Sequence, residues 1–382
     1  MGKMILAKGR AAAGSLLNIA IDGGLIGEVR EAVSLSEGEI VDCAGITVLP
    51  GFIDVHNHGA VGVDVNEADV DGLIAVGEYL AGKGVTAWMP TLVPDSDENY
   101  RRVIGEIDKL MEVQGDLPIA QAVGVHYEGV FANEKMCGAL RPQYFKPGGQ
   151  WSVAGGRLPR LKRGVHMTTL APEVEGGVEL IEGMVREGWI VSIGHTNADV
   201  VTLEKARRAG ARHVTHFFNA MSGIHHRDVG VAGWALSNPE VTFDIIADGI
   251  HVHPRMLEMA CRAKTPDKTI LISDSVAPTG LGDGEFELWG EKVIVENKRT
   301  RNERGSIAGS VISMADAAHR MRSIGFTSAE ISAMASTNPA KLLGISETRG
   351  TIDFGKRADL VGIDETGTIK LVMVGGRFAL KP

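Results

Sequence analysis

Six polar residues of this 382-residue chain sit where an apolar run ends, and their types suit holding a divalent ion and moving a proton. His56 and His58 close the run Phe52–Val55. Two apart on an extended strand, their side chains project to the same side, so both imidazoles can grip one cation. Glu128 follows the run Ala122–Tyr127, and a carboxylate at a buried strand end needs a cation or a hydrogen-bond partner. His195, in Gly194-His195-Thr196-Asn197-Ala198, and His216, in Thr215-His216-Phe217-Phe218-Asn219, end two further runs. Singly, each reads as a hydrogen-bonded core histidine. With Glu128 they make a nitrogen and oxygen donor set that suits zinc or iron. Asp274 ends Ile270–Ser273. Beside an ion it could take a proton from water; on local sequence alone it could equally form an Asx turn or helix cap near Ser275.

These residues become a site only if their runs lie side by side. Eight apolar extended runs are legible: Phe52–Val55, Val85–Thr91, Ala122–Tyr127, Val165–Leu170, Ile190–Ile193, His213–His216, Thr242–Ala247 and Thr269–Ser273. Helix-like stretches separate most of them, among them Ala68–Gly82, Asp97–Val113, Gly177–Glu187, Ala198–Ala209 and Pro254–Ala263. Runs apolar on both faces and joined by helices argue for a parallel sheet. Eight of them argue for a closed (β/α)8 barrel of the TIM type, whose usual size is roughly 250 residues and whose catalytic groups gather at the C-terminal ends of the strands. The segment Glu285–Val295 reads as an inserted hairpin. The first fifty residues and the last thirty-five read as short strands with glycine turns, Asp22-Gly23-Gly24 the clearest. The expected organisation is a small β-sandwich domain from residues 1–50 and 348–382 around an α/β barrel of residues 51–347.

Composition excludes other classes. The net charge is −9 and no basic run stands out, so a nucleic-acid partner is not expected. An anionic ligand would then need a local arginine. No apolar run reaches the roughly 20 residues of a membrane span. Three scattered cysteines, Cys43, Cys137 and Cys261, make no disulfide framework. The opening Met1–Arg10 is charged and does not read as a signal peptide, so a cytoplasmic location is expected.

The combination of His126-Tyr127-Glu128-Gly129, Gly194–Ala198, Thr215–Met221, His225-His226-Arg227, Ala247-Asp248-Gly249-Ile250-His251 and Ser306–Ser310 resembles the N-acetylglucosamine-6-phosphate deacetylases of the amidohydrolase superfamily. The likeness runs from Leu49–Asp54 to Ala358–Val361, nearly the whole chain; its Pro-Gly-Phe-Ile-Asp entry and the His-x-His are shared across the superfamily. The resemblance implies a hydrolytic deacetylase of an amino-sugar phosphate, with N-acetylgalactosamine 6-phosphate or another N-acyl substrate as the alternative. It implies that Glu128, His195 and His216 hold the main divalent metal, zinc or iron, and that His56 and His58 admit a second. Asp274 matches the acid/base, and His251 would polarise the acetyl carbonyl. Substrate contacts are expected from Ala139, Asn219, Ala220, Asp248, Ile307, Ala308 and Gly309. Arg227 is expected to bind the 6-phosphate across a homodimer interface, a task its planar donor fork suits. The chain departs from the pattern at Val130, Asp228 and the loop Lys135–Leu140, which lacks a histidine. Cys137 in that loop reads as a bystander thiol.

Overall fold

In the computed structural model, which describes residues 2–31, 38–148 and 158–382, all eight expected runs are strands. They are Phe52–Asn57, Val85–Leu92, Gly124–Phe131, Val165–Leu170, Ile190–Ile193, His213–Val214, Thr242–Ile246 and Thr269–Ile272. Each pairs in parallel with the next in chain order. The circle closes just beyond the strands: the Asp274 amide donates to the His56 carbonyl (3.0 Å) and the His58 amide to the Ser275 carbonyl (2.8 Å). Both faces of the strands are buried, one in the barrel interior and one under helices, which is why they read as unbroken apolar runs; all eight residues of Val85–Leu92 are buried.

The helices carry their own start signals. Asp69 caps Val70–Gly82, Ser96 caps Asp97–Val113 and Asp199 caps Val200–Arg208, each accepting a backbone N–H of the first turn. Between the sixth and seventh strands lies a helix, Gly230–Ser237, absent from the expected set. It is eight residues long, nearly all apolar and without a side-chain cap, so neither periodicity nor a start signal marks it.

The two chain ends pair as expected. Met4–Arg10, Leu16–Asp22, Leu25–Arg30, Glu39–Asp42 and Thr47–Pro50 join Leu360–Ile363, Ile369–Val374 and Arg377–Leu380 in one hydrogen-bonded sheet. The seam is antiparallel, Leu360 opposite Pro50 and Ile363 opposite Thr47. The sheet forks at Met4–Arg10, which pairs with Glu39–Asp42 along one part and with Thr47 at its end. An apolar cluster including Leu6, Ile19, Ile26, Val48, Leu360 and Met373 fills the fold, drawn from both ends of the chain. The Asp359 carbonyl accepts the Gly51 amide at the barrel entrance (2.8 Å), and Asp359 also ion-pairs with Arg349. Residue 1 and the stretches 32–37 and 149–157, which fall within the expected domain spans, lie outside the described residues. The expected hairpin is a three-stranded antiparallel sheet, Gly284–Leu288, Glu291–Glu296 and Arg299–Asn302.

Candidate metal centre and active-site cavity

Barrel closure brings five donors together at the C-terminal ends of the strands. The first strand delivers His56 and His58, whose Nε2 atoms are 3.0 Å apart. The third delivers Glu128, inside the strand rather than just beyond it. His195 and His216 follow the fifth and sixth strands. Glu128 Oε1 lies 3.1 Å from His195 Nε2 and 3.0 Å from His216 Nε2, and those two nitrogens are 3.0 Å apart. Its other oxygen lies 3.2 Å from His58 Nε2. Two three-residue groups therefore share one carboxylate: His56, His58 and Glu128, and Glu128, His195 and His216.

This donor set fits divalent cations. Atoms bonded to zinc at its usual nitrogen distance of 2.0–2.1 Å lie roughly 3.3 Å apart around a tetrahedron. Facing imidazole nitrogens repel through their lone pairs unless a cation lies between them. The tautomers suit that role. His195 Nδ1 hydrogen-bonds the Met136 carbonyl (2.8 Å) and His58 Nδ1 the Thr91 carbonyl (3.1 Å). A carbonyl only accepts, so each Nδ1 carries the proton and Nε2 turns toward the centre.

Charge tells the same story. Burial disfavours a charged His58, but the Asp274 and Glu128 carboxylates outweigh it and lift the imidazole to about 10. Burial likewise opposes, and Glu128 overcomes, the rise of His216 to about 9. Glu128, despite a burial term that raises it, is held well below the usual carboxylate range by His56, His195 and His216. The pocket draws positive charge onto its nitrogens, whether proton or metal ion. His126 stands outside the set: burial first, and His56 next to it, hold it well below its ordinary value, and its Nε2 bonds the Thr169 hydroxyl (2.8 Å).

Asp274 Oδ1 lies 3.3 Å from His58 Nε2 and 3.5 Å from His56 Nε2. Burial works against its ionisation, but His56 and His58 keep the carboxyl low, so it is available as a base. Neighbours brace both it and His56. Ser273 donates its hydroxyl to buried Asp54 (2.5 Å), and Asn57 donates to Asp54 (3.1 Å) and to Ser275 Oγ (2.7 Å). His195, His216 and Asp274 all have positive φ, +48°, +33° and +49°. Such backbone is costly for side-chain-bearing residues, and here it turns the chain off each strand while aiming the side chain inward. At His216, Asp244 Oδ1 accepts the backbone N–H (2.5 Å) while its Oδ2 pairs with His213 Nε2 (2.9 Å).

Four of the five donors, His58, Glu128, His195 and His216, line a cavity of about 290 Å³ together with Asp274, while His56 is buried beneath them. Of the expected substrate contacts, Ala139, Asn219, Ala220, His251, Ile307 and Gly309 line it. Three do not. Asp248 lies behind His251, taking its Nδ1 at 2.6 Å and its backbone N–H at 2.8 Å, which leaves Nε2 for a ligand. Ala308 is buried behind the wall, its amide donating to Thr300 Oγ1 (3.0 Å). Arg227 is exposed on the loop after the sixth strand, its guanidinium against His226 (2.6 Å), and is not part of this chain's cavity lining. Cys137 also stays out of the lining, though Gly138, Ala139 and Leu140 beside it are in. Sequence reasoning missed Trp289, at the tip of the inserted hairpin, which lines the cavity against His58.

Comparison with known proteins places this geometry in a family. The model of the amidohydrolase family matches residues 47–379. The N-acetylglucosamine-6-phosphate deacetylase of Bacillus subtilis (strain 168) is 35% identical over 348 residues, covering 89% of this chain and 86% of its own. The N-acetylgalactosamine-6-phosphate deacetylase of Escherichia coli O157:H7 is 32% identical over 335 residues, covering 86% and 87%. Among solved structures, the Pasteurella multocida N-acetylglucosamine-6-phosphate deacetylase superposes with a TM-score of 0.89 at 26% identity, over 98% of this chain and 99% of its own. A Mycobacterium smegmatis deacetylase solved in complex with N-acetyl-D-glucosamine 6-phosphate gives 0.87 at 26% identity, over all of both chains. A barrel with histidines and carboxylates converging at its C-terminal mouth, matched by a family model over most of its length, has one reading: this chain belongs to the amidohydrolase family.

Proposed function

We propose that this chain hydrolyses the acetamide bond of N-acetyl-D-glucosamine 6-phosphate, yielding acetate and D-glucosamine 6-phosphate. The observation that carries it is the sharing of Glu128 between two histidine pairs, with Asp274 at 3.3 Å from His58 and the cavity opening above them. Glu128, His195 and His216 would hold the main ion, with zinc the natural choice for this donor set and iron the alternative; His56 and His58 would hold a second. Such an ion supplies Lewis acidity, lowering the pKa of water and polarising a carbonyl. Asp274 accepts a proton from the attacking water as the C–O bond forms. It passes that proton to the amide nitrogen as the C–N bond breaks. His251, oriented by Asp248, donates from Nε2 in its protonated form to the acetyl oxygen as charge develops there.

Arg227 is proposed to bind the 6-phosphate in the neighbouring subunit of a homodimer. Its exposure beside the exposed apolar residues Ile224 (51%) and Val229 (43%) supports a partner surface there. A cytoplasmic setting suits three free cysteines, and among the described residues no helix is long and apolar enough to cross a membrane. The second reading is the C4-epimeric sugar phosphate, favoured by the relative named for N-acetylgalactosamine 6-phosphate. Acetate release from both epimers, each with and without the 6-phosphate, on protein of measured metal content tests the proposal. Turnover of N-acetyl-D-glucosamine 6-phosphate is expected to lead. A preference for unphosphorylated sugars, or no acetate from any, would overturn it.

A further inference from the structure

The hairpin inserted after the eighth strand ends in an unusual turn. Leu288 pairs with Glu291, so Trp289 and Gly290 alone make the connection, with φ of +56° and +78°. Two-residue turns with positive φ at both positions favour Asn-Gly, and a bulky residue at the first is strained there. Local preference does not put an indole at this tip; its contacts hold it. The ring meets His58 edge-on, centroids 5.4 Å apart, packs against two buried apolar clusters, one holding Val276, Leu288 and Val293 and the other Val93, Ala132 and Leu140, and lines the cavity together with Ala139 and Leu140. Arg304 ties the hairpin to that loop, pairing with Glu291 (3.0 Å) while donating to the Ala139 carbonyl (3.0 Å). Hairpin tip and loop thus form one fastened apolar corner.

That corner adjoins the reacting centre, because His58 Nε2 is 3.3 Å from Asp274 and 3.2 Å from Glu128. We infer that Trp289 bounds the acyl end of the cavity and restricts the substrate to an N-acetyl group, a specificity role that rests on the deacetylase reading above. An amide carbon has three substituents. Its oxygen and nitrogen need polar partners, which His251 and Asp274 offer. Its alkyl group needs an apolar wall. The polar lining at Asn219 and Ser306 suits sugar hydroxyls, and the Ala139–Leu140–Trp289 corner, where the indole meets His58, is the apolar wall beside the reacting carbon for the methyl. A longer chain would meet an indole whose turn is tied down and cannot retreat.

The test compares kcat/KM for N-acetyl-, N-propionyl- and N-butyryl-glucosamine 6-phosphate in the wild type, Trp289→Ala and Trp289→Phe. A methylene in an apolar pocket changes specificity by about 10–200-fold. The butyryl-to-acetyl ratio is therefore expected to rise at least about tenfold in Trp289→Ala and by less in Trp289→Phe. An unchanged ratio, with equal losses on every acyl group, would overturn the inference and assign the indole to the sugar. If Trp289→Ala does not fold, the same ratio is read in Trp289→Phe, where an unchanged value overturns it. Absence of wild-type turnover on all three compounds would instead defeat the deacetylase reading, and the inference with it.

Discussion

In the proposed mechanism, Asp274 carries both proton transfers through one carboxyl group. It contributes to the field around the histidines, but none of the donor triplets depends on it. Asp274→Asn should therefore keep its full complement of ions and lose roughly 10²–10⁴-fold in turnover; metal analysis beside acetate-release rates checks this, and near-normal turnover would remove Asp274 from the proton-transfer role. His166 is a titrating residue away from the centre. It is buried, and its Nε2 accepts the Leu161 amide proton (2.9 Å), a bond that only the neutral ring can make. Burial, helped by Arg160, pushes it down to about 4. A histidine depressed in the folded state binds fewer protons there than in the unfolded chain. Its stability contribution is whole above pH 6.5 and drains away as pH falls toward 4, by about 3 kcal/mol at most. In His166→Gln, whose amide oxygen can accept the same bond, unfolding free energy should slope less with pH between 4 and 6.5. An identical slope would place the acid sensitivity elsewhere.

At the scale of elements, the site is a property of strand register. Gly124 faces Val165 where the third and fourth strands begin to pair. A Cβ on Gly124 would lie 2.1 Å from the Val165 carbonyl oxygen, a backbone atom that cannot swing aside. Gly124→Ala must push the two strands apart four residues below Glu128. The expected loss is about 1–3 kcal/mol of stability or more, together with a lower ion content, because Glu128 belongs to both donor groups. Thermal unfolding and metal analysis read the two effects; full ion binding in a destabilised variant would show that the register tolerates the shift. The left-handed backbone at His195, His216 and Asp274 belongs to the same scale. Each strand stops where its functional residue turns inward, so sheet length and site geometry are set together.

For the whole molecule, the proposed role of Arg227 makes the complete site a property of two chains. Arg227 is not among the residues lining its own cavity and is exposed on a loop with Ile224 and Val229. If it serves the neighbouring subunit, Arg227→Ala and Asp274→Asn should each be nearly inactive alone. Mixed and reassembled, they should regain activity, because a heterodimer holds one site with both groups intact. No recovery in a mixture shown to contain heterodimers would return Arg227 to a role within its own chain. The same variant should lose far more activity on the phosphorylated sugar than on the free sugar.

Much of this was legible in the chain itself. Strands buried on both faces leave long apolar runs, and eight such runs with helices between them specify a barrel. Residues that break the pattern at the same end of successive runs stand out as His56, His58, Glu128, His195, His216 and Asp274. Other features left no mark. Gly230–Ser237 has neither amphipathic period nor cap, and Trp289 in its turn reads like any apolar residue of a hairpin. Local sequence also could not tell that His126 would bond Thr169 while Glu128, two residues on, joined the centre, or that Asp248 would stand behind His251. Types and periods are local and travel with the sequence. Which nitrogens face one another is not local: Glu128 meets His195 and His216 across 67 and 88 residues of chain, and only closure of the barrel, through strand register and the hydrogen bonds at Asp274 and His58, sets distances of about 3 Å between them.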